Sequence, residues 1–328
     1  LDKKNLHVEI VRSNTPSLSS MSQESADAIL EVLSRNYTKV GITYVNKLSD
    51  LESLASNKPD LVFLGMEFVP RDLRLGIDDP NKVWITDFLD SLGVPYTGSS
   101  SSAHKLQRNK GMAKKQVLDS GLSSSKYFIA KRNESFEDKD FYLNFPVFVK
   151  PLDRGGGYGI DNGSIIHNLD KLRERIDFIA SEVGSDSLVE EYLTGREFSV
   201  AVIKNSLTNE YVAMPIELIA PMNNEGHRLL GSEVKSSNTE EVSLVSDDEL
   251  NKVVSELALG VFSALGAKDY GRIDIRQDSK GNAQFLEANL IPSLITNYGS
   301  FPKACVINLD LNYEDMIVRI VELGILAD

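Results

Sequence analysis

Within the first hundred residues, three short apolar runs at 7–11, 40–45 and 61–64 alternate with segments that repeat apolar residues at helical spacing. Ala26, Ile29, Leu30 and Leu33 fall on one stripe of a helix predicted over 23–35. Shorter helices are predicted over 48–55 and over 83–92, the latter stopped by Gly93. Parallel strands cannot be joined by a tight turn and need a crossover, most often a helix. The alternation therefore commits this part of the chain to a parallel sheet with helices on its faces. Pro95-Tyr96-Thr97-Gly98 and the serines at 99–102 break the pattern and read as a linker at a domain boundary.

Beyond the linker the signature changes. A basic helix is predicted over 105–118, closed by Gly121. Strands over 127–130, 146–149, 188–192 and 197–202, with a helix over 169–182, describe an antiparallel sheet with helices on one side. Residues 207–245 are less regular, and 222–242 hold so few apolar anchors that they read as a long, mobile loop. The longest clean helix is predicted over 247–265, a hairpin over 271–277 and 283–288, and a closing helix over 313–323.

Composition narrows the function. With 48 acidic and 35 basic side chains the net charge is −13, which repels nucleic-acid phosphates and anionic lipid. An anionic small molecule would need a locally basic pocket. The single cysteine, Cys305, reads as a packed core thiol and suits a reducing cytosol. His7, His104, His167 and His227 lack metal-ligand spacing, and His104 reads as a surface residue. No apolar run approaches the roughly 20 residues of a membrane span, and the N-terminus has no signal-peptide core.

Four segments carry chemistry. In the hairpin, Arg272 and Asp274 share one strand face, as do Glu287 and Asn289, while Ile273, Ile275, Leu286 and Ala288 are available to pack the other. If the register aligns the polar faces, two carboxylates, an amide and a guanidinium converge, a hard-oxygen set suited to Mg²⁺ shared with phosphates. The alternative is a solvated hairpin laced with salt bridges. Lys150 at a strand end, followed by the loop Gly155-Gly156-Gly157-Tyr158-Gly159, is either a phosphate clamp or a loose turn. Glu190-Glu191-Tyr192-Leu193 followed by Glu197 offers an apolar slot, a chain edge and a carboxylate, as an adenosine needs, or else an ordinary edge strand. Lys110, with Lys114 one turn on, lies on the basic helix, where a lysine is usually just solvated.

Taken in order, these segments resemble the ATP-grasp superfamily and, within it, the D-alanine–D-alanine ligases. The resemblance runs through Pro95-Tyr96-Thr97-Gly98, Lys110, Val149-Lys150-Pro151, Gly195-Arg196-Glu197-Phe198, Gly271-Arg272-Ile273-Asp274, Glu287-Ala288-Asn289 and Pro292, nearly the whole chain. It implies an α/β (α+β) ATP-grasp fold: an N-terminal parallel-sheet domain at 1–98 and two antiparallel α+β subdomains, 99–191 and 192–328, that sandwich ATP. Lys110 and Lys150 would bind phosphates, Gly155, Gly156, Gly157, Tyr158 and Gly159 would fold over them, Glu190, Glu191, Tyr192 and Leu193 would form the adenine hinge, and Glu197 would hold the ribose. Asp274, Glu287 and Asn289 would hold two Mg²⁺ ions, with Mn²⁺ as a substitute. Arg272 and Lys235 would be catalytic. Ser293, Tyr298 and Ser300 would lie on the substrate side. The implied enzyme is a cytoplasmic ligase for amino-acid or carboxylate substrates, working through an acyl phosphate and commonly dimeric, with neither nucleic acid nor membrane as partner.

The nucleotide half keeps the family's pattern; the amino-acid half departs from it. The loop 12–22 has no carboxylate, Gly65-Met66-Glu67 replaces the family's His-Gly pair, Gly156 and Gly157 replace paired serines, and Ser236 replaces the loop tyrosine. Asn109 stands where the family has aspartate and Ser293 where it has glycine. The expectation is a related amide or dipeptide ligase with an altered first-substrate pocket, for which Glu67 is the candidate replacement carboxylate. The alternatives are a non-catalytic nucleotide-binding scaffold and a kinase acting on a carboxylate.

Overall fold

A computed structural model of the chain describes residues 5–223, 226–231, 234, 237 and 239–326. Strands β1 (His7–Arg12), β2 (Lys39–Tyr44) and β3 (Leu61–Leu64) form a parallel sheet in the order β2-β1-β3. Helix α1 (Gln23–Asn36) crosses from β1 to β2, its first turn capped by Ser22, which accepts from the Ser25 N–H at 3.1 Å. Helix α2 (Leu48–Ser56) crosses from β2 to β3. Strands β4 (Phe68–Val69) and β5 (Val83–Trp84) pair next, so α3 (Ile85–Leu92) begins two residues later than its apolar spacing predicts.

The serines are not a linker. Ser101 and Ser102 open helix α4 (Ser101–Arg108), and the Ser101 hydroxyl bonds the Asp87 carboxylate. Serine at a helix start satisfies orphan backbone N–H groups as readily as it populates a loop. The helix predicted over 105–118 is two helices: Asn109, at φ −100° and ψ 93°, ends α4 and caps α5 (Lys110–Asp119) by accepting from the Met112 N–H at 3.0 Å.

The central sheet is antiparallel, in the order β6-β9-β7-β8, from β6 (Tyr127–Ala130), β7 (Val147–Pro151), β8 (Ile165–Ile166) and β9 (Ser187–Glu191), with α6 (Leu169–Phe178) running into one π-turn before β9. The larger sheet has the order β12-β11-β10-β13-β14, from β10 (Glu197–Lys204), β11 (Tyr211–Ile219), β12 (Glu241–Leu244), β13 (Tyr270–Gln277) and β14 (Ala283–Asn289). Helix α7 (Asp248–Ala264) packs Val254, Leu257, Ala258 and Val261 with Phe198, Val200, Ile273 and Ile275 from one face of this sheet. The loop expected over 222–242 lies in part outside the described residues; at its end β12 pairs with β11.

Helices α8 (Ser300–Leu309) and α9 (Tyr313–Ile325) return the chain to its beginning. Phe301, Ala304, Ile317 and Ile320 share one core with Val8, Ile10, Ile29 and Phe63 of the parallel sheet and with Ala201, Met214 and Ile216 of the large one. The close approach of α9 to β3 requires Gly324, where a Cβ would stand 2.9 Å from Leu61 Cδ1 and 3.0 Å from the Tyr96 carbonyl oxygen. Cys305 is a core thiol as expected, and its burial pushes its pKa up to about 12. Among the described residues no helix is long and apolar enough to cross a membrane.

Candidate active site

The β13–β14 register sets Arg272 opposite Asn289 and Asp274 opposite Glu287, so the four polar residues lie on one face. A shift in register between Asp274 and Ile275 makes this possible. Ile275 pairs with Phe285 while Asp274 pairs with Glu287, leaving Leu286 as the extra residue of a bulge. Phe285, rather than the expected Leu286, therefore joins Ile273, Ile275 and Ala288 in the core. Arg272 grips Asp274 with two parallel bonds, Nε to Oδ1 and Nη2 to Oδ2, each 2.9 Å. Ser199 of the neighbouring strand donates to Oδ1 at 3.0 Å, and the Asn289 amide donates to Oδ2 at 3.2 Å. A carboxylate has about four acceptor positions, and these donors fill them.

The donor chemistry bears on a metal ion. Among the described residues no three His, Cys, Asp or Glu gather closely enough to hold one alone. Mg²⁺, however, is commonly held by one or two carboxylates with phosphates and water completing the shell. Two facing carboxylates and an amide fit that pattern, provided a cation displaces one of the donors on Asp274.

Facing the hairpin is a buried lysine cluster. Lys150, on β7, places Nζ 2.7 Å from Glu190 Oε1, and Lys114, on α5, places its own 2.8 Å from Glu190 Oε2. Burial alone would raise the Glu190 pKa, but the two ammonium groups outweigh it and pull the carboxyl down to about 2. Lys110 donates to the Arg154 carbonyl. Its ammonium is destabilised chiefly by burial, the Glu287 carboxylate opposing and Lys150 adding to the effect, so its pKa falls from 10.5 to about 8. Lys114 was expected in solvent and is fully buried; it lies on the same helix stripe as Ala113 and Val117.

The segment after β7 turns on glycines: Gly156, Gly157 and Gly159 have φ of 65°, 79° and 74°, in the left-handed region that disfavours side chains. Buried Arg175 holds the loop's far end, donating to the Gly159 carbonyl at 2.7 Å, while Tyr158 is exposed. Gly155 accepts from the Tyr158 N–H at 3.2 Å.

Glu190 and Glu191 end β9, and the chain runs on through Tyr192 and Leu193 into β10, joining the two antiparallel sheets. Glu190 is buried with its carboxylate turned to the lysines, Leu193 is buried, and the Tyr192 ring lies 5.3 Å from the Arg276 guanidinium. Glu197 sits beside Arg276 at 3.1 Å. The large sheet also meets α5 and the segment leading into β6 through Phe285: its N–H donates to the Ser123 carbonyl at 3.0 Å, and its carbonyl accepts from Lys114 at 3.1 Å.

On the substrate side, Ser300 Oγ lies 3.3 Å from Arg272 Nη1 and 3.3 Å from Ser199 Oγ, whereas half-buried Tyr298 lies in the preceding turn, its N–H directed to the Ile295 carbonyl at 3.3 Å. Ser293 is half-buried just beyond β14. Lys235 lies outside the described residues. Glu67 is 4% exposed and engaged by Gln107 and, at 3.2 Å, by Arg108. Buried His104, expected at the surface, lies 3.8 Å from the same carboxylate. Gln107 also accepts from the Leu290 N–H, linking Glu67 to the end of β14. At the end of β1, the Arg12 side chain donates to the Met21 carbonyl at 3.3 Å and to the Gln23 amide oxygen.

A family model described as the D-ala D-ala ligase C-terminus matches residues 106–322. The chain belongs to the D-alanine–D-alanine ligase family. A D-alanine–D-alanine ligase of Hydrogenovibrio crunogenus is 30% identical over 238 residues, which are 72% of this chain and 71% of that protein. One from Haemophilus ducreyi is 26% identical over 326 residues, 98% of this chain and 99% of its own. The fold matches the crystal structure of the Bacillus anthracis D-alanine–D-alanine ligase complexed with ATP, with a TM-score of 0.75, 19% identity and 97% of both chains covered. This member of the ligase family has the ATP-grasp fold, with one parallel and two antiparallel sheets, and is an ATP-grasp ligase.

Proposed function

We propose that the chain is an ATP- and Mg²⁺-dependent carboxylate–amine ligase that forms an amide through an acyl phosphate, with a first-substrate pocket altered from one that takes free D-alanine. The observation that carries this is the meeting of two buried lysines, Lys110 and Lys150, with the Asp274–Glu287–Asn289 face of the hairpin. Glu287 acts electrostatically on both lysines, so anionic and cationic groups address one space.

In this reading the triphosphate lies between the lysines and the hairpin, under the loop 155–159, with adenine against 190–193 and ribose at Glu197. Mg²⁺, held by Glu287, Asn289 and Asp274, would cancel charge on the transferring phosphoryl group. Lys110 and Lys150 do the same from the opposite side. A substrate carboxylate takes the γ-phosphoryl group; an amine then attacks the acyl carbon and phosphate leaves. Arg272, fixed by Asp274 and Ser300, is placed to steady the negative charge that develops on the acyl oxygen. Lys235 would add a cation from the 222–242 segment, and Ser300, already on Arg272, is the better placed of the candidates for gripping the second substrate. The altered pocket is supported by the loop 12–22, which offers no carboxylate, and by Glu67, the candidate replacement, whose carboxylate is already paired with Gln107 and Arg108.

The reading is tested by incubating the protein with ATP, Mg²⁺ and pairs drawn from an amino-acid pool, following phosphate release and the product mass. An amide that appears in step with ADP supports it. ATP bound without turnover on any pair favours a scaffold, and ADP without amide favours a carboxylate kinase.

Two expectations follow from the lysines. Lys150→Ala should weaken ATP binding about 10- to 100-fold, the cost of a charge-assisted bond; unchanged affinity by calorimetry removes the clamp. Lys110 should give a pH signature. With a folded pKa near 8, below its ordinary 10.5, it carries a positive charge at neutral pH and sheds it as pH rises. ATP affinity should therefore fall as pH climbs through about 8, with proton uptake on binding seen by calorimetry in buffers of different ionisation heat. In the unbound protein the same shift costs stability below about 8, and the cost fades between there and 10.5. A flat affinity profile across that range contradicts the assignment.

A further inference from the structure

Lys150 is an odd phosphate clamp on its own terms. Its ammonium sits 2.7 Å from a fully buried carboxylate, Glu190, and a lysine so paired presents a neutral couple to an incoming anion. Lys114 resolves the difficulty. It lies on the other oxygen of the same carboxylate at 2.8 Å and is 0% exposed. Its remaining bonds go to Ser125 Oγ at 2.9 Å, Ser124 Oγ at 3.1 Å and the Phe285 carbonyl at 3.1 Å. An ammonium has three protons, and with the Glu190 oxygen these make four acceptors competing for them, so no proton is left over. Lys114 therefore has neither the exposure nor the donors to touch a ligand.

We infer that Lys114 is a positioning residue whose charge offsets Glu190, so that Glu190 anchors the Lys150 ammonium while Lys150 keeps its positive charge for the nucleotide's phosphates. Two lysines against one glutamate leave one net positive charge, and Lys150 is the member of the trio on the nucleotide side. The Ser125 hydroxyl, donating to Glu190 Oε2 at 3.0 Å, fixes which oxygen faces which lysine. Because Lys114 also bonds Phe285 of β14, the same cation ties the lysine cluster to the hairpin that carries Glu287. Glu287 and Glu197 also draw on the Lys150 charge, while Lys110 repels it. The inference rests on the proposal that Lys150 binds the nucleotide.

The test is calorimetric titration of the full chain with ATP and Mg²⁺, comparing wild type, Lys150→Ala, Lys114→Met and the double variant Lys114→Met/Glu190→Gln. Lys114→Met, which leaves Glu190 to cancel Lys150, should weaken ATP about tenfold or more. The double variant, which restores one net positive charge, should recover at least half of that loss on a logarithmic scale. A purely structural Lys114 would lower the melting temperature without this rescue of affinity. Wild-type affinity in Lys114→Met, or a double variant no better than the single, overturns the inference. If Lys150→Ala itself binds ATP normally, the clamp and the inference fall together; if only Lys114→Met binds normally, the clamp stands and the inference falls. Lys114→Gln, which loses the charge but keeps a hydrogen-bonding head, carries the same arms should the methionine variant not fold.

Discussion

Glu287→Gln is expected to fold like the wild-type chain and to turn over about a thousandfold more slowly, a loss of several kcal/mol in transition-state stabilisation. Glu287 is one of the two facing carboxylates of the hairpin and also acts electrostatically on Lys110 and Lys150, so its charge bears on both a cation and the phosphates. Glutamine keeps the size and polarity of the side chain and removes only the charge, and the position is half-buried at a sheet face rather than in the core. Circular dichroism and melting temperature should match wild type while substrate-dependent phosphate release collapses. Turnover within about tenfold of wild type would remove Glu287 from the metal assignment.

Arg272→Lys should cost about a hundredfold in kcat, the size of effect seen when one donor to a developing oxyanion is lost. The charge survives the change, but the planar fork that binds both Asp274 oxygens and reaches Ser300 does not. Since Arg272 is assigned to the acyl oxygen and not to the nucleotide, the KM for ATP should move by no more than about threefold. A variant that loses ATP affinity and keeps kcat would place the guanidinium on the phosphates instead.

Much of the fold is legible from periodicity. The three parallel strands, α1, α2, the β13–β14 hairpin and the long helix α7 fall within a few residues of the apolar spacing that predicts them. Strand β11 is missed because Pro215 interrupts it, and proline lacks the N–H that a central strand needs. Here the defect is harmless. Pro215 lies just before the stretch of β11 that pairs with β12, and its carbonyl accepts from the Asn308 side chain at 3.2 Å. Helix α8 is missed for a related reason, since Pro302 masks a helix whose first turn tolerates proline and whose buried stripe is Phe301, Ala304 and Cys305.

The candidate site is legible where its order along the chain matters and obscure where a side chain's partner is distant. Arg272, Asp274, Glu287 and Asn289 share a face by period-two alternation within each strand, but only the register reveals that a bulge at Leu286 brings Phe285 into the core and leaves Glu287 opposite Asp274. Lys114 looks solvated because basic residues surround it. The signal against that reading is its place on the stripe of Ala113 and Val117, where a lysine must find an anion or remain unpaired in the core. That anion, Glu190, is 76 positions away, beyond the reach of local pattern. The same holds for His104 and Glu67, whose burial comes from the docking of α4 against the turn after β3.

The most direct measurement is an anomalous-difference map from crystals grown with Mn²⁺ and a non-hydrolysable ATP analogue. Manganese density at Glu287 and Asn289, with the analogue's terminal phosphates reaching Lys110 and Lys150, is the expected result. Density absent from the hairpin, or an analogue bound away from the two lysines, would contradict it.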